Sequence, residues 1–249
     1  MKRTTSCAAA FTLLLAASLT ALAQSGPGSA GMNASFTRIF GANNAFTADV
    51  DMDITAPDGK TMSLPASFAV LDTKMRSEID MTKVKGQALP PEALDSMKQM
   101  GMDHIINITR TDLKTTYIIY PGIKSYAKMS LSKQDAAALD KDLKVETTAL
   151  GKETVAGHPC VKNKVVMTAS DKQTQEFTVW NASDLKDFPV QIQTSGKEGS
   201  LLMRYQNIKF VKPDAAQFEP PTGYTAYADI QQMMMAAMQK MLSDMGAPK

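Results

Sequence analysis

Residues 46–55 read FTADVDMDIT, and their alternation decides the fold class. Phe46, Ala48, Val50, Met52 and Ile54 fall on one side of an extended chain; Thr47, Asp49, Asp51, Asp53 and Thr55 fall on the other. Strand side chains alternate with a period of two, so this stretch has an apolar face and a charged face. That pattern belongs to an antiparallel strand with one side on a core and the other in water. The APDGK that follows (56–60) predicts a hairpin turn at Asp58-Gly59, because glycine accepts the positive φ such turns demand. Met62, Leu64, Ala66, Phe68 and Val70 continue as the returning strand. After a turn over 71–73 the same parity resumes at Met75, Ile79 and Met81.

Further along, LPPEALDSMKQMG (89–101) breaks the alternation: prolines suit a helix start, Glu92 its first turn and Gly101 its end. HIINIT (104–109) and TTYIIYP (115–121) flank a polar turn around Asp112. The second of these is apolar on both faces, which requires cover on both. SKQDAAALDKDL (132–143) predicts a short helix capped by Ser132, with Asp135 three residues on. Strands are then expected over 144–150, 160–168, 174–180, 190–193 and 201–210. So many strands imply a large antiparallel sheet, strongly curled or partly closed. The expected fold class is mainly β (α+β). A β domain spans 36–225, and an amphipathic helix lies within the Met-rich segment 226–249.

Toward the N-terminus the chain opens MKRTTSCAAAFTLLLAASLTALAQ. Lys2 and Arg3, an apolar stretch over 11–22 and Ala21-Leu22-Ala23 arrive in the order of a secretory signal. Cleavage is expected between Ala23 and Gln24, giving a periplasmic or secreted protein. Residues 24–35, QSGPGSAGMNAS, read as a flexible lead-in. Loss of the signal removes two cations, so the formal charge of +2 falls to about zero. No basic stripe survives to bind nucleic acid, and no segment of the mature chain is long and apolar enough to span a bilayer. Cys160 is the only cysteine after cleavage, so the mature fold rests on its core without an internal disulfide.

Several phrases of the second half carry a resemblance. GKETVAGHPC (151–160), FTVWNASDLKDFPV (177–190) and FEPPTGY (218–224) occur in that order, with YIIYPGIKSYAKM (117–129) before them and the Met-rich tail after. Together they resemble an uncharacterised bacterial family, domain of unknown function 4412. That family is similar to the LolA-like group of periplasmic lipoprotein carriers. The resemblance implies a half-open antiparallel barrel with helices in its concave side, and an envelope address. The carriers' ligand-binding residues match no motif of this chain.

The candidate sites are few. Asp49, Asp51 and Asp53 lie ~6.5–7 Å apart along a strand, too far for one Ca²⁺ cage, and read as a solvated face paired across to lysines. His158 and Cys160 share a strand face, but no orienting third group accompanies them, and a lone cysteine of this kind behaves as a small hydrophobe. His104 is the only other histidine, so no zinc cluster forms. No phosphate loop or nucleophile motif occurs either, and neither enzyme activity nor a cofactor is expected. Tyr117, Tyr126, Phe177 and Trp180 are the aromatic candidates for lining an apolar ligand site. On the terminal helix, Ile230, Met234, Met238, Met241 and Met245 form one stripe. Met233 and Ala237 flank it on one side, Met235 and Leu242 on the other, an apolar arc of roughly 200° that one packing contact hardly covers. The stripe reads first as a face packed or docked on the rest of the fold; methionine also repacks around different shapes, which suits a lipid or acyl-chain site. It equally suits docking of an envelope protein, and soft thioethers also suit Cu(I). The leading expectation is a carrier of a lipid, acyl chain or lipoprotein segment. A protein-docking module comes second and a copper-binding protein third.

Overall fold

The computed structural model describes residues 36–86, 90–131, 136, 139, 143–170, 172–196 and 199–246. The expected signal and lead-in, and nearly all of the expected helix over 132–143, lie outside them. A one-turn helix α1 (Phe36–Ile39) precedes β1 (Ala45–Thr55), β2 (Thr61–Leu71), β3 (Lys74–Asp80) and the two-residue β4 (Lys85–Gly86). Helix α2 (Pro91–Gln99) leads to β5 (His104–Arg110), β6 (Thr115–Tyr120) and β7 (Ser125–Ser130). Then come β8 (Lys144–Val155), β9 (His158–Thr168), β10 (Thr174–Ala182), β11 (Phe188–Gly196) and β12 (Gly199–Lys209). A strap over 211–224 ends the sheet's long meander and contains a 3₁₀ turn at Ala215–Phe218. Strand β13 (Thr225–Tyr227) and helix α3 (Ile230–Gly246) complete the described chain.

All strands share one curled, unclosed sheet in the order β13-β7-β6-β5-β3-β2-β1-β12-β11-β10-β9-β8, with β4 beside β2. Strand β1 joins two meanders: β2 pairs it in full antiparallel register from Ala45↔Leu71 to Thr55↔Thr61, and β12 returns along its other side. The fold is therefore mainly β and antiparallel; the exception is β13, which adds to β7 in parallel through Ala226↔Tyr126.

Alternation sorts the side chains into two faces. The inner face carries the main core, where Phe46, Met52, Leu64 and Phe188 meet Met203 and Tyr205 with almost no exposure. Phe40, delivered by α1, stacks among Phe46, Phe188 and Tyr205 at centroid distances of 4.8–5.7 Å. The outer face is polar over β1 and β12. Over β5–β7 it carries a second apolar cluster of Ile106, Ile108, Tyr117 and Ile119, which Phe218 of the strap covers. This explains why TTYIIYP is apolar on both sides: Tyr117 and Ile119 face the strap, Ile118 and Tyr120 the inner side.

Two differences from the sequence expectations have local causes. Strand β8 does not end at Leu150; Ala149 faces Asn163 and Gly151 faces Lys162, so Leu150 is the extra residue of a bulge. The true turn is the two-residue loop Ala156-Gly157, both at positive φ, as hairpin twist requires. Strand β11 begins at Phe188 rather than Val190, because Lys186 and Asp187, each at φ +55°, form a tight turn with Phe188 N–H bonded to the Leu185 carbonyl at 3.0 Å. Helix α2 ends as expected at Gly101, which at φ +67° also packs backbone to backbone on Gly122. A Cβ at Gly122 would lie 2.3 Å from the Gly101 oxygen.

Candidate functional site

Helix α3 crosses the inner face at its β6–β7 end. Asp229 starts it: its carboxylate accepts from the Gln232 N–H at 2.8 Å, and its carbonyl from the Met233 N–H. From there Ile230, Met233 and Met234 settle on a floor made by Met102, Tyr120 and Ala127. Met233 is the deepest of them, at 1 % exposure. Among the described residues no side-chain hydrogen bond or ion pair ties α3 to the sheet; the contact is carbon and sulfur alone.

The wide apolar arc of the helix is thereby divided. One stripe, Ile230, Met233, Met234, Ala237 and Met241, is buried or half-buried, while Met235, Met238 and Leu242 form a neighbouring stripe at 50 %, 38 % and 58 % exposure. The seated stripe centres on Met233, which sequence reading places at the flank. Nothing in the sequence links residue 233 to residues 102–127, so the docking face was not legible there. Met245 keeps its place on the helix, but its side chain is outside the described set.

The four aromatic candidates divide into two clusters. Tyr117 and Tyr126 meet at 6.0 Å on the outer face, beneath the strap. Phe177 and Trp180 belong to the main core. The Trp180 Nε1–H donates to the Glu153 carboxylate, and the Lys162 amine stands 4.9 Å over its ring, so both polar handles of this indole are engaged.

On the outer face Asp49, Asp51 and Asp53 are paired across to β12, though not to lysines. Their partners are Asn207 at 2.8 Å, Gln206 at 2.8 Å and Arg204 at 2.7 Å. Asn207 takes a bulge position at φ +50°, which an asparagine tolerates, and so aims its amide at Asp49. Beside this row runs a polar cleft of about 380 Å³, with Asp51, Glu78, Asp80, Lys83 and His104 on its walls. Among the described residues no group of three His, Cys, Asp or Glu side chains is placed to hold a metal.

The structure supplies the third group that the His158/Cys160 pair lacks in sequence: His158 Nδ1 lies 2.8 Å from Asp184 Oδ2. The thiol nevertheless donates to the His158 carbonyl at 3.3 Å. Burial raises its pKa, and the Asp184 and Glu153 carboxylates raise it further, so the thiolate is disfavoured. Cys160 packs against the core as a small hydrophobe.

No helix among the described residues is long and apolar enough to cross a membrane. No curated protein sequence matches the chain. Similar solved structures include the lipoprotein LppX of Mycobacterium tuberculosis, 12 % identical over 70 % of this chain and 93 % of that one, with a TM-score of 0.38. A LolA superfamily protein of Nitrosomonas europaea is 10 % identical over 74 % and 94 %, with a TM-score of 0.38. MucB in the Pseudomonas aeruginosa MucA/MucB complex is 12 % identical over 78 % and 63 %, with a TM-score of 0.36. The family model described as Domain of unknown function (DUF4412) matches residues 46–189, from the first residues of β1 to the start of β11, and leaves the strap, β13 and α3 outside. Over more than half its length, then, this chain is a DUF4412 protein, and it belongs to that family.

Proposed function

We propose that the protein is a non-catalytic carrier of an apolar ligand in the bacterial envelope, after export from the cytoplasm. The ligand is a lipid, an acyl chain or a lipoprotein segment, and it takes the inner face where α3 now lies. The observation that carries this reading is the seating of α3. A wide apolar helix packs on the inner-face cluster of Met102, Tyr120 and Ala127 through Ile230, Met233 and Met234, with no polar tie to the sheet among the described residues. The rest of the inner face is closely filled, with Met52, Leu64 and Met203 fully buried, so a ligand enters where α3 yields rather than into a standing cavity. Unbranched thioether side chains suit that exchange, since they repack around a chain of carbon as readily as around one another.

A second reading rests on the exposed stripe Met235, Met238 and Leu242, which leaves an apolar helix edge facing outward for an envelope protein to cover. Native mass spectrometry of the protein purified from its own periplasm, with and without residues 228–249, separates the two. A bound lipid mass that weakens on truncation supports the carrier. A bare mass in both forms sinks it, and turns the exposed stripe into the bait for a partner search.

A further inference from the structure

Tyr120 closes β6 and belongs to the floor on which Ile230, Met233 and Met234 of α3 settle. It is 6 % exposed, and its buried neighbours Met102, Ala127 and Met233 offer carbon and sulfur only. Among the described residues no hydrogen bond reaches its hydroxyl. Other buried hydroxyls of the sheet are provided for. Thr111, Thr115 and Ser125 donate to the carbonyls of Thr73, Leu113 and Ile123 at 2.8, 3.0 and 3.0 Å. The Tyr205 hydroxyl, in the main core, finds the Met203 sulfur at 3.9 Å. Burial raises the Tyr117 phenol on the outer face and the Glu219 carboxylate raises it further, whereas burial alone raises that of Tyr120.

A buried phenol ordinarily has a partner, because a hydroxyl taken from water and left without one forfeits its hydrogen bond. A phenylalanine would seat Met233 as well and carry no such penalty. A floor that served α3 alone has no use for a donor. A floor that also takes a carbon chain ending in an oxygen function does, since a single polar group in an apolar site fixes how the ligand lies. The phenol is a neutral donor at physiological pH, matched to an uncharged acceptor.

We propose that the Tyr120 hydroxyl donates a hydrogen bond to the carbonyl oxygen of an acyl chain that replaces Met233 and Met234 on the floor of Met102, Tyr120 and Ala127. The site then recognises acyl esters and amides, not hydrocarbon alone. This inference rests on the carrier reading and adds to it the polar group of the ligand. A lipid ester and the acyl group of a lipoprotein present the same acceptor, and the phenol serves either. With α3 seated, thioethers take the place of the chain and the hydroxyl waits without a protein partner.

The test is displacement of the apolar dye 1-N-phenylnaphthylamine from the delipidated protein by methyl laurate and by n-pentadecane, which match in heavy atoms. Tyr120→Phe deletes an oxygen that has no protein partner, so the variant folds as the wild type does. It is expected to weaken the ester about tenfold, the worth of one buried hydrogen bond, and to leave the alkane unchanged. Tyr205→Phe, the control at the other buried phenol, is expected to weaken neither. In the bound ester with an isotope-labelled carbonyl, the stretch is expected at lower frequency in the wild type than in Tyr120→Phe. Equal effects of Tyr120→Phe on ester and alkane, or none on either, overturn the inference and leave the carrier reading standing. So does an ester loss that appears in Tyr205→Phe instead, as does one carbonyl frequency in both proteins. Displacement by neither probe overturns the carrier reading and this inference with it.

Discussion

Arg110 holds Glu219 across 109 residues of sequence, and so fastens the C-terminal strap to the outer face of β5. The same guanidinium binds Asp112 at 2.8 Å, while its own side chain is 9 % exposed. Replacing it by alanine frees the strap that covers Ile106, Ile108 and Tyr117 with Phe218, and about 2 kcal/mol of stability is expected to go in denaturant titration. Glu219→Gln is expected to cost under about 1 kcal/mol, because that carboxylate is half in water at 52 % exposure.

The same guanidinium gives the turn between β5 and β6 an acid sensitivity. The hydrogen bond from Arg110 holds the Asp112 carboxyl below its ordinary value. A depressed carboxyl adds stability above its unfolded pKa of about 3.9 and loses it as the pH falls through the lower folded value. Acid titration of wild type is therefore expected to show a loss of stability below about pH 4 that Asp112→Asn lacks. Identical acid slopes in the two proteins would count against the pairing.

Helix α3 invites a comparison of two methionines five residues apart, Met233 and Met238. Met233→Ala removes the buried anchor of a helix seated by three residues, so hydrogen exchange over 230–246 is expected to accelerate more than tenfold while the sheet's protection stays unchanged. Met238→Ala alters an exposed side chain and is expected to shift the unfolding free energy by under about 0.5 kcal/mol. Equal effects would mean the helix seats on a different face.

Much of this architecture was legible because its determinants are local. The parity of FTADVDMDIT, the Asp58-Gly59 turn and the Pro90–Gly101 helix each depend on neighbours within a few residues, and the sheet forms accordingly. The misread places were those where distant chain decides. Leu150 looks like a strand end until Asn163 and Lys162 show that it is a bulge. Phe218 gains its place only from Ile106 and Ile108, and Met233 only from Tyr120 and Ala127, more than a hundred residues away. The candidate site is built from such long-range contacts, which is why periodicity found the helix's apolar arc and missed which part of it seats.

Two buried tyrosines set the alkaline limit. Burial pushes the Tyr120 phenol up to about 12 and raises Tyr205 as well, against about 10 in the unfolded chain. Raised folded values mean that stability is intact below pH 10 and falls as the unfolded state alone gives up its protons. For Tyr120 the loss by pH 12 is of the order of 2–3 kcal/mol. Tyr120→Phe should flatten the stability curve between pH 10 and 12, and an unchanged curve would show that the phenol reaches water.

Among the described residues strand β8 is the open edge of the sheet, and nearly all of its residues are exposed along a run from Lys144 to Val155. A long unpaired edge is a template for association, which folded proteins blunt with charges and bulges. Lys144, Glu146, Lys152 and Glu153 supply the charges. The bulge at Leu150 supplies the second device, since it exchanges the two faces of the strand: Ala149 and Gly151, both odd-numbered, oppose consecutive residues of β9. A strand added along this edge has no single register that suits both halves. Deleting Leu150 keeps Ala149 opposite Asn163 and Gly151 opposite Lys162, yet leaves eleven residues in one continuous alternation. The shortened protein is therefore expected to fold as before and to associate as its concentration rises in sedimentation velocity. If it stays as dispersed as the wild type, the charges alone protect the edge and the bulge has some other purpose.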